Sequence, residues 1–306
     1  YAENSIRAAL GDEEARQYVR AADNTTDNAG LVPTRQLSEV INGLSTTIRP
    51  SIDAISRGAL PDAGMTFEIP KITVAPTVAV TAEDAAFSET DQNSAFLSVD
   101  VKKFAGQQKF SVELLTRTSP LFYDELLRNM VAAMAKAQNA YVNAALISGA
   151  TLDGTTTTTY PTATELLGII GRGSASVYGA TAGLANPFAR NIIASTGQWS
   201  NLMTLNDAGR PIYSTVTNPM NQAGSATPTS LTGNVAGLNL YVDPTNAGDG
   251  DGTLLIVNPD AYTWYEGTSY QLRAESTADG SITVGVYSFG AVATKIAAGA
   301  FKNNKA

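Results

Sequence analysis

A few stretches of this chain carry residue types that could do chemistry. Asp249-Gly250-Asp251-Gly252 has the alternating Asp and Gly of a calcium loop, where spaced carboxylates meet one hard cation. Counted from Asp249, the sixth position is Leu254 where such a loop turns on Gly, and the twelfth is Asp260 where it needs Glu. A tight turn between strands is the better reading. Gly171-Arg172-Gly173-Ser174 has the glycines of a phosphate cradle but lacks its Lys-Ser/Thr ending. Paired carboxylates alone can hydrolyse a glycoside, yet none of the 28 Asp and Glu lies in an aromatic-rich stretch that would mark it. No Lys or Tyr is marked as a base either. The chain has no Cys and no His. That excludes disulfides, thiol nucleophiles, thiolate or imidazole zinc sites and a Ser-His-Asp triad. The residues assign no catalytic, metal or cofactor site.

The 306 residues suggest two domains or one elaborate one, at about 150 per domain. At 43% apolar the chain can fill a core. It has 20 Lys and Arg against 28 Asp and Glu, a net charge of -8. That balance argues against nucleic-acid binding through a basic face. Charged residues are only 16%, against roughly 25% in ordinary soluble domains. Either much of the surface is covered by something else, or a Thr-rich surface replaces charge. No apolar run approaches the length of a membrane span. The start at Tyr1 fits a trimmed chain or one cut from a longer precursor.

What elements would position these residues? Residues 1–60 show little periodicity, apart from a helix over Ser5 to Ala22 and a short one through Leu37, Ile41 and Leu44. They read as a loose terminus, or as an arm that orders on a neighbour. Met65 to Val74 reads as a strand with Phe67 and Ile69 in period two. Leu97, Val99 and Val101 mark a second. Between them lies an excursion far longer than the two to five residues of ordinary hairpin loops. It contains Glu83, Asp84, Glu89 and Asp91, and no Lys or Arg. It reads as a floppy acidic loop, or as a protruding hairpin whose acidic end docks on a basic partner surface.

Ser119 can cap and Pro120 can open a long helix that Gly149 ends. Phe122, Leu126, Met130, Met134, Ala137, Tyr141 and Ala145 form its apolar stripe. At 1.5 Å per residue it spans roughly 43 Å. Thr151 to Thr164 reads as a low-complexity turn region. Short helices and strands then alternate: helix over Glu165 to Tyr178, strand over Arg190 to Ala194 and helix over Trp199 to Leu205. Strands follow over Leu238 to Val242 and Leu254 to Val257. Asn258-Pro259-Asp260 starts a short helix carrying Trp264, and Ser281 to Lys295 is a further strand. The pattern is α+β.

Phe110-Ser111-Val112-Glu113-Leu114-Leu115, leading into a long helix that closes on Leu146-Ile147-Ser148-Gly149, resembles tailed-phage major capsid proteins of the Hong Kong 97 type. Asn206-Asp207-Ala208-Gly209-Arg210-Pro211-Ile212-Tyr213 resembles a phrase of that family. So do Gly280-Ser281-Ile282-Thr283-Val284 and Phe289-Gly290-Ala291. The likeness runs over residues 30–302.

The resemblance implies a Hong Kong 97-like capsid fold in four parts. These are an N-terminal arm (1–60), an extended E-loop (61–108), a peripheral domain with the spine helix (109–149 and 273–306) and an axial domain (150–272). It implies a major head protein, not an enzyme, that self-assembles through pentamers and hexamers into an icosahedral shell around double-stranded DNA. The DNA is enclosed without sequence-specific reading. Portal, scaffolding, protease and decoration proteins are implied partners, with no cofactor and no membrane. Assembly in the host bacterial cytoplasm and a place in the virion follow. Candidate inter-subunit contacts are Glu83, Asp84, Glu89 and Asp91 against Arg117 and Arg128. Asp207, Arg210, Pro211 and Tyr213 are candidates for the axial loop. An encapsulin-type compartment shell shares the fold and is the alternative. A carboxylate hydrolase and a monomeric adhesin are the rivals from other classes.

Overall fold

β-Branched runs and one long helix dictate the layers. The computed structural model describes residues 49–87, 89–113, 121–207, 210–214, 231–246, 252–276 and 280–306, with Arg7, Leu10 and Glu13. The chain divides into two units, Tyr1–Asn42 and Gly43–Ala306. Of the first, the described residues Arg7, Leu10 and Glu13 are exposed. Most of the helices expected over Ser5 to Ala22 and through Leu37 to Leu44 lies outside the described residues, as do the capping residues Ser119 and Pro120.

The larger unit starts with helix α1 (Pro50–Asp53) and strand β1 (Ser56–Ala59). β2 (Thr66–Val74) and β3 (Asn93–Asp100) form a separate two-stranded sheet. β4 (Lys102–Ser111) precedes α2 (Leu121–Gly149), then β5 (Thr151–Thr157) and α3 (Ala163–Thr181). β6 (Asn191–Ser195) and α4 (Thr196–Thr204) follow, then the two-residue strands β7 (Asn206–Asp207), β8 (Arg210–Pro211) and β9 (Tyr213–Ser214). The chain closes with β10 (Thr232–Val235), β11 (Leu238–Asp243), β12 (Leu254–Val257), β13 (Tyr262–Glu266), β14 (Tyr270–Ser276), β15 (Ser281–Thr294) and β16 (Ala300–Lys305).

One sheet runs β5-β16-β12-β6-β11-β10-β9. Its central strands Asn191–Ser195 and Leu254–Val257 are buried along their whole length. Alternate side chains explain this. Ile192, Ala194, Leu254 and Ile256 share a core cluster with Leu166, Ile169 and Val177 of α3 and Leu202 of α4. Ile193, Leu255 and Val257 share another with Val142 and Leu146 of α2. The second sheet runs β1-β13-β15-β14, with β4 also paired to β15. α2 therefore packs on both sheets and ties them together. Near its start Leu126, Leu127 and Met130 pack against Phe110, Ile282 and Val284.

Several expectations change. Residues 50–59 belong to the larger unit: Ile52 is fully buried, and β1 pairs in parallel with β13. Residues 102–108 pair with β15 instead of with the hairpin. The closing segment 273–306 is shared between sheets, since β15 pairs with β4 but β16 pairs with β12 and β5. The threonine-rich stretch after Thr151 starts as a strand. β-Branched threonine suits a pleated surface, and its partner β16 lies at the far end of the chain. Trp264 sits on β13 after a single turn of 3-10 helix, fully buried. The buried face of α2 is rotated from the expected stripe. Ala132, Ala135, Gln138, Asn139, Val142, Asn143 and Leu146 are buried, while Ala137 is exposed.

Gly149 lies in the last turn of α2 and is not among the residues with positive φ. Its glycine identity answers the Tyr262 hydroxyl, which an added Cβ would strike. That hydroxyl donates to the Ala297 carbonyl at 2.7 Å, and burial pushes its pKa up to about 12. Gly290 is a tighter case. A Cβ there would overlap the ring of Trp264, which has no room to move in the core. Gly290→Ala should therefore lower unfolding free energy by about 1–3 kcal/mol, the range for overpacked cores. Urea unfolding followed by Trp fluorescence reads the shift; an unchanged midpoint would contradict the close packing.

Candidate functional site

The β2–β3 hairpin is built from residues that pair in register, from Thr66 opposite Asp100 to Val74 opposite Asn93. Phe67, Ile69 and Leu97 are half-buried, and Val99 is buried against Ala291 and Ala293. Phe67 meets Tyr265 edge to face with centroids 5.0 Å apart. This end anchors the hairpin to the body. Past Val74 the ladder stops, and residues 75–92 carry no strand pairing among the described residues. Thr77 and Thr90 hydroxyls still hydrogen bond at 2.6 Å, so the two legs stay close.

The tip turns at Ala82–Ala85, where the Ala85 N–H donates to the Ala82 carbonyl at 3.1 Å. Asp84 takes the left-handed conformation with φ 62, which short Asp tolerates better than most residues. Glu83, Asp84, Glu89 and Asp91 are all exposed, and none has an ion-pair partner among the described residues. Val78 and Val80 are wholly exposed and Phe87 is 88% exposed. Fully burying each such side chain elsewhere is worth about 1.5–3 kcal/mol. Among the described residues of the chain, nothing covers these valines and this phenylalanine beside the carboxylates.

The basic residues proposed to face it fall elsewhere. Arg117 lies outside the described residues. Arg128 is exposed on α2, with its guanidinium 4.0 Å from Glu125. The structure does not bring either acid pair to Arg128 within one chain. Of the second candidate group, Asp207 pairs with Arg210 across β7 and β8, Pro211 lies opposite Asn206, and Tyr213 pairs with Val235. β7 and β8 thus form a two-stranded sheet of their own, and β9 is the edge strand of the seven-stranded sheet. Of the calcium-loop candidate Asp249-Gly250-Asp251-Gly252, the first three residues lie outside the described residues, and the Gly252 carbonyl accepts from the side-chain amides of Gln198 and Asn303 at 2.8 and 3.0 Å. Gly171-Arg172-Gly173-Ser174 lies inside α3, which leaves no loop to cradle a phosphate. Among the described residues no group of three or more carboxylates could hold a metal, and no helix is long and apolar enough to cross a membrane.

Sequence reading missed a buried polar junction between the two sheets. Asp243, fully buried at the end of β11, accepts from the Ser51 hydroxyl and from the Asn139 amide at 2.8 Å. Its other oxygen accepts from the Thr245 N–H and hydroxyl at 2.8 and 2.6 Å. Asn139 in turn accepts from the Ser51 N–H at 2.9 Å. Arg49 bridges Gln138 of α2 at 3.0 Å and Glu266 of β13, and Gln138 donates to Ser288 of β15 at 2.8 Å. Amides on a helix read as solvent-facing from sequence. The signal available was their i, i+1 and i+5 spacing on one side of an otherwise apolar helix.

A second pair holds α3 to β5. Arg172 donates to both oxygens of the nearly buried Asp153, at 3.0 and 2.7 Å. Desolvation pushes the Asp153 carboxyl up. The hydrogen bonds from Arg172 and the Thr155 N–H, with the Arg172 charge, outweigh it and hold the carboxyl below its ordinary value. The folded value lies below the unfolded one, so the stabilisation is full above about pH 4 and fades as pH falls through the depressed value. Asp153→Ala should cost about 1 kcal/mol near neutral pH, the upper end for a partly exposed pair. The gap from wild type in denaturant midpoint should shrink toward about pH 3. A gap that stays constant over that range would rule the pair out as the cause.

A family model described as phage capsid protein matches residues 95–303. Among curated proteins nothing matches. Solved structures do. A chain from Mycobacterium phage Che8 aligns with TM-score 0.64 at 13% identity, covering 90% of this chain and 97% of that one. A chain described as the capsid of a native GTA particle aligns with TM-score 0.69 at 13% identity, covering 93% and 99%. One from Gordonia phage Cozz gives TM-score 0.60 at 14% identity, covering 92% and 93%. At such identities the structural likeness speaks for the fold alone. The family match takes in well over half of the chain, from the hairpin's second strand to the last strand of the large sheet, and so this chain belongs to the phage capsid protein family and is a structural protein of the shell.

Proposed function

We propose that copies of this chain assemble through pentamers and hexamers into an icosahedral head that encloses double-stranded DNA. In this reading residues before the body form an arm, the β2–β3 hairpin is the E-loop, α2 is the spine helix and the seven-stranded sheet with α3 and α4 is the axial domain. The observation that carries it is the hairpin excursion, an exposed acidic and apolar segment that the described residues of its own chain leave uncovered. Such a segment is stabilised by ordering on a neighbour. Many weak copies of the contact sum to a rigid shell. The low charge content fits a subunit covered on several sides. The family match and the phage and GTA structures favour this reading over an encapsulin-type compartment. Assembly in the host cytoplasm, with portal, scaffolding and decoration proteins as further partners, completes the proposal.

Electron microscopy of the purified protein tests it: closed icosahedral shells are expected, and nuclease-protected DNA in native particles separates a phage head from an enzyme compartment. A protein that stays monomeric under all assembly conditions would refute it. The shell should be non-covalent. Residues 75–101 contain no Lys, Lys71 donates to the Lys295 carbonyl at 2.9 Å, and Lys102 lies 3.5 Å from Asp100 at the hairpin base. Boiled particles should run on a denaturing gel as one band near 31.9 kDa, and a ladder would overturn this.

A further inference from the structure

An open sheet edge invites another strand, and folded chains usually blunt such edges with short strands, bulges or lysines. Among the described residues most edge strands of this chain follow that rule. β1 has four residues and β9 two, β5 shifts register against β16, and β4 carries three lysines. β14 departs from it. Its seven residues pair with β15 in unbroken register, and among the described residues no strand pairs with its other side. It contains neither Pro nor Lys.

The edge is also apolar where it is open. Tyr270, Leu272 and Ala274 alternate onto one face of the sheet. Tyr270 stacks on Tyr287 of β15 with centroids 5.1 Å apart, yet stays 48% exposed. Leu272 is 58% exposed and lies opposite Gly285, which has no side chain to cover it. Gln271, Arg273 and Ala274 are exposed as well. Residues 270–274 also match their own reverse. Set antiparallel to a second copy and centred on Leu272, Leu272 faces Leu272, Tyr270 faces Ala274 and Gln271 faces Arg273. Apolar meets apolar on one face, and the other opposes no like charges. Centred on Arg273 instead, two arginines would face each other at a cost.

Resting on the shell reading above, we propose that β14 of one copy pairs antiparallel with β14 of a second copy across a twofold axis, joining their two sheets into one. The contact is isologous: the same patch serves both partners and closes on itself, so it links copies in pairs and does not run on as a fibre. A second copy is the occupant because the strand matches itself, and a shell subunit always has neighbours of its own kind. Five residues at about 3.4 Å each give a ladder of roughly 17 Å. Outward main-chain N–H and C=O groups gain partners, and the two leucines leave water together. This joint uses no residue of the β2–β3 hairpin and is independent of where that hairpin docks.

A single cysteine tests both partner and register, since the protein has no other Cys. Oxidised particles of Leu272→Cys should run as a disulfide-linked dimer on a non-reducing gel, because directly opposed residues of an antiparallel pair bring their Cα atoms within disulfide range. Particles of Tyr270→Cys alone should stay monomeric on the gel, while mixed particles of Tyr270→Cys and Ala274→Cys should give the dimer. Leu272→Cys particles without a dimer overturn the pairing. Hydrogen exchange on wild-type chains gives a second readout: the slowest amides of 270–274 should slow by at least about 100-fold on assembly. Fast exchange there in closed particles overturns the proposal and leaves the shell reading intact. Protection without the Leu272→Cys dimer means that some other segment covers the edge, and overturns it too. Failure of the wild-type chain to form particles at all overturns the shell reading and this proposal with it. If the cysteine variants do not assemble, density of wild-type shells decides: β14 lies beside β14 of a neighbour, or the proposal is wrong.

Discussion

Glu83→Lys/Asp84→Lys should reduce particle yield by more than about 100-fold while leaving the subunit folded. Both carboxylates are exposed at the hairpin tip and make no ion pair among the described residues, so folding has little to lose. The Glu83 change should stay within about 0.5 kcal/mol, and Lys at the left-handed Asp84 position adds up to about 1 kcal/mol, too little to unfold the subunit. An interface is less forgiving. Like charges facing each other cost several kcal/mol, and a loss of about 2.8 kcal/mol per contact is already 100-fold. The loss recurs at every copy in a shell, which multiplies its effect. Sedimentation and electron microscopy read the yield, and urea unfolding reads the fold. Wild-type yield from the double variant would remove the acidic tip from the assembly contact. Loss of yield with a collapsed urea midpoint would show that the tip matters for folding instead.

The second large effect falls at the opposite extreme of burial. Asp243→Ala should destabilise the chain by about 3 kcal/mol. The carboxylate accepts from Ser51, Asn139 and Thr245, and the first two are buried. Each orphaned buried donor costs about 1–3 kcal/mol. Relief from burying a carboxylate offsets part of that. Asp243→Asn keeps the shape but turns one acceptor into a donor facing donors, and should cost about 1–2 kcal/mol. A loss under about 1 kcal/mol for Asp243→Ala would mean that the junction rearranges around a smaller side chain. The junction links α1, α2 and the end of β11, so its loss should loosen the angle between the sheets as well as lower stability.

The two effects divide along the line between what local pattern carries and what it does not. Period-two spacing of Phe67, Ile69, Leu97 and Val99 marks both legs of the hairpin, because in a strand alternate residues face one side whatever lies across from them. The composition of residues 75–92 marks the tip as acidic and unsuited to a core. Apolar spacing marks α2, and Leu126 and Met130 do pack where that spacing points. The acids of the tip were therefore legible as an exposed cluster, whereas Arg128, the basic residue expected to face them, lies beside Glu125 on α2.

Local sequence was enough for an acidic chain without thiol or imidazole chemistry, with an overlong hairpin, one long helix and an α+β remainder. Those follow from residue type and short-range periodicity, which act within a few positions. Tertiary structure alone decided that the threonine-rich stretch after Thr151 is a strand, since its partner β16 lies about 150 residues away. It alone turned α2 so that Gln138 and Asn139 face inward. A buried amide is tolerable only when distant groups such as Ser288, Ser51 and Asp243 satisfy it, and no periodicity encodes where those groups will be.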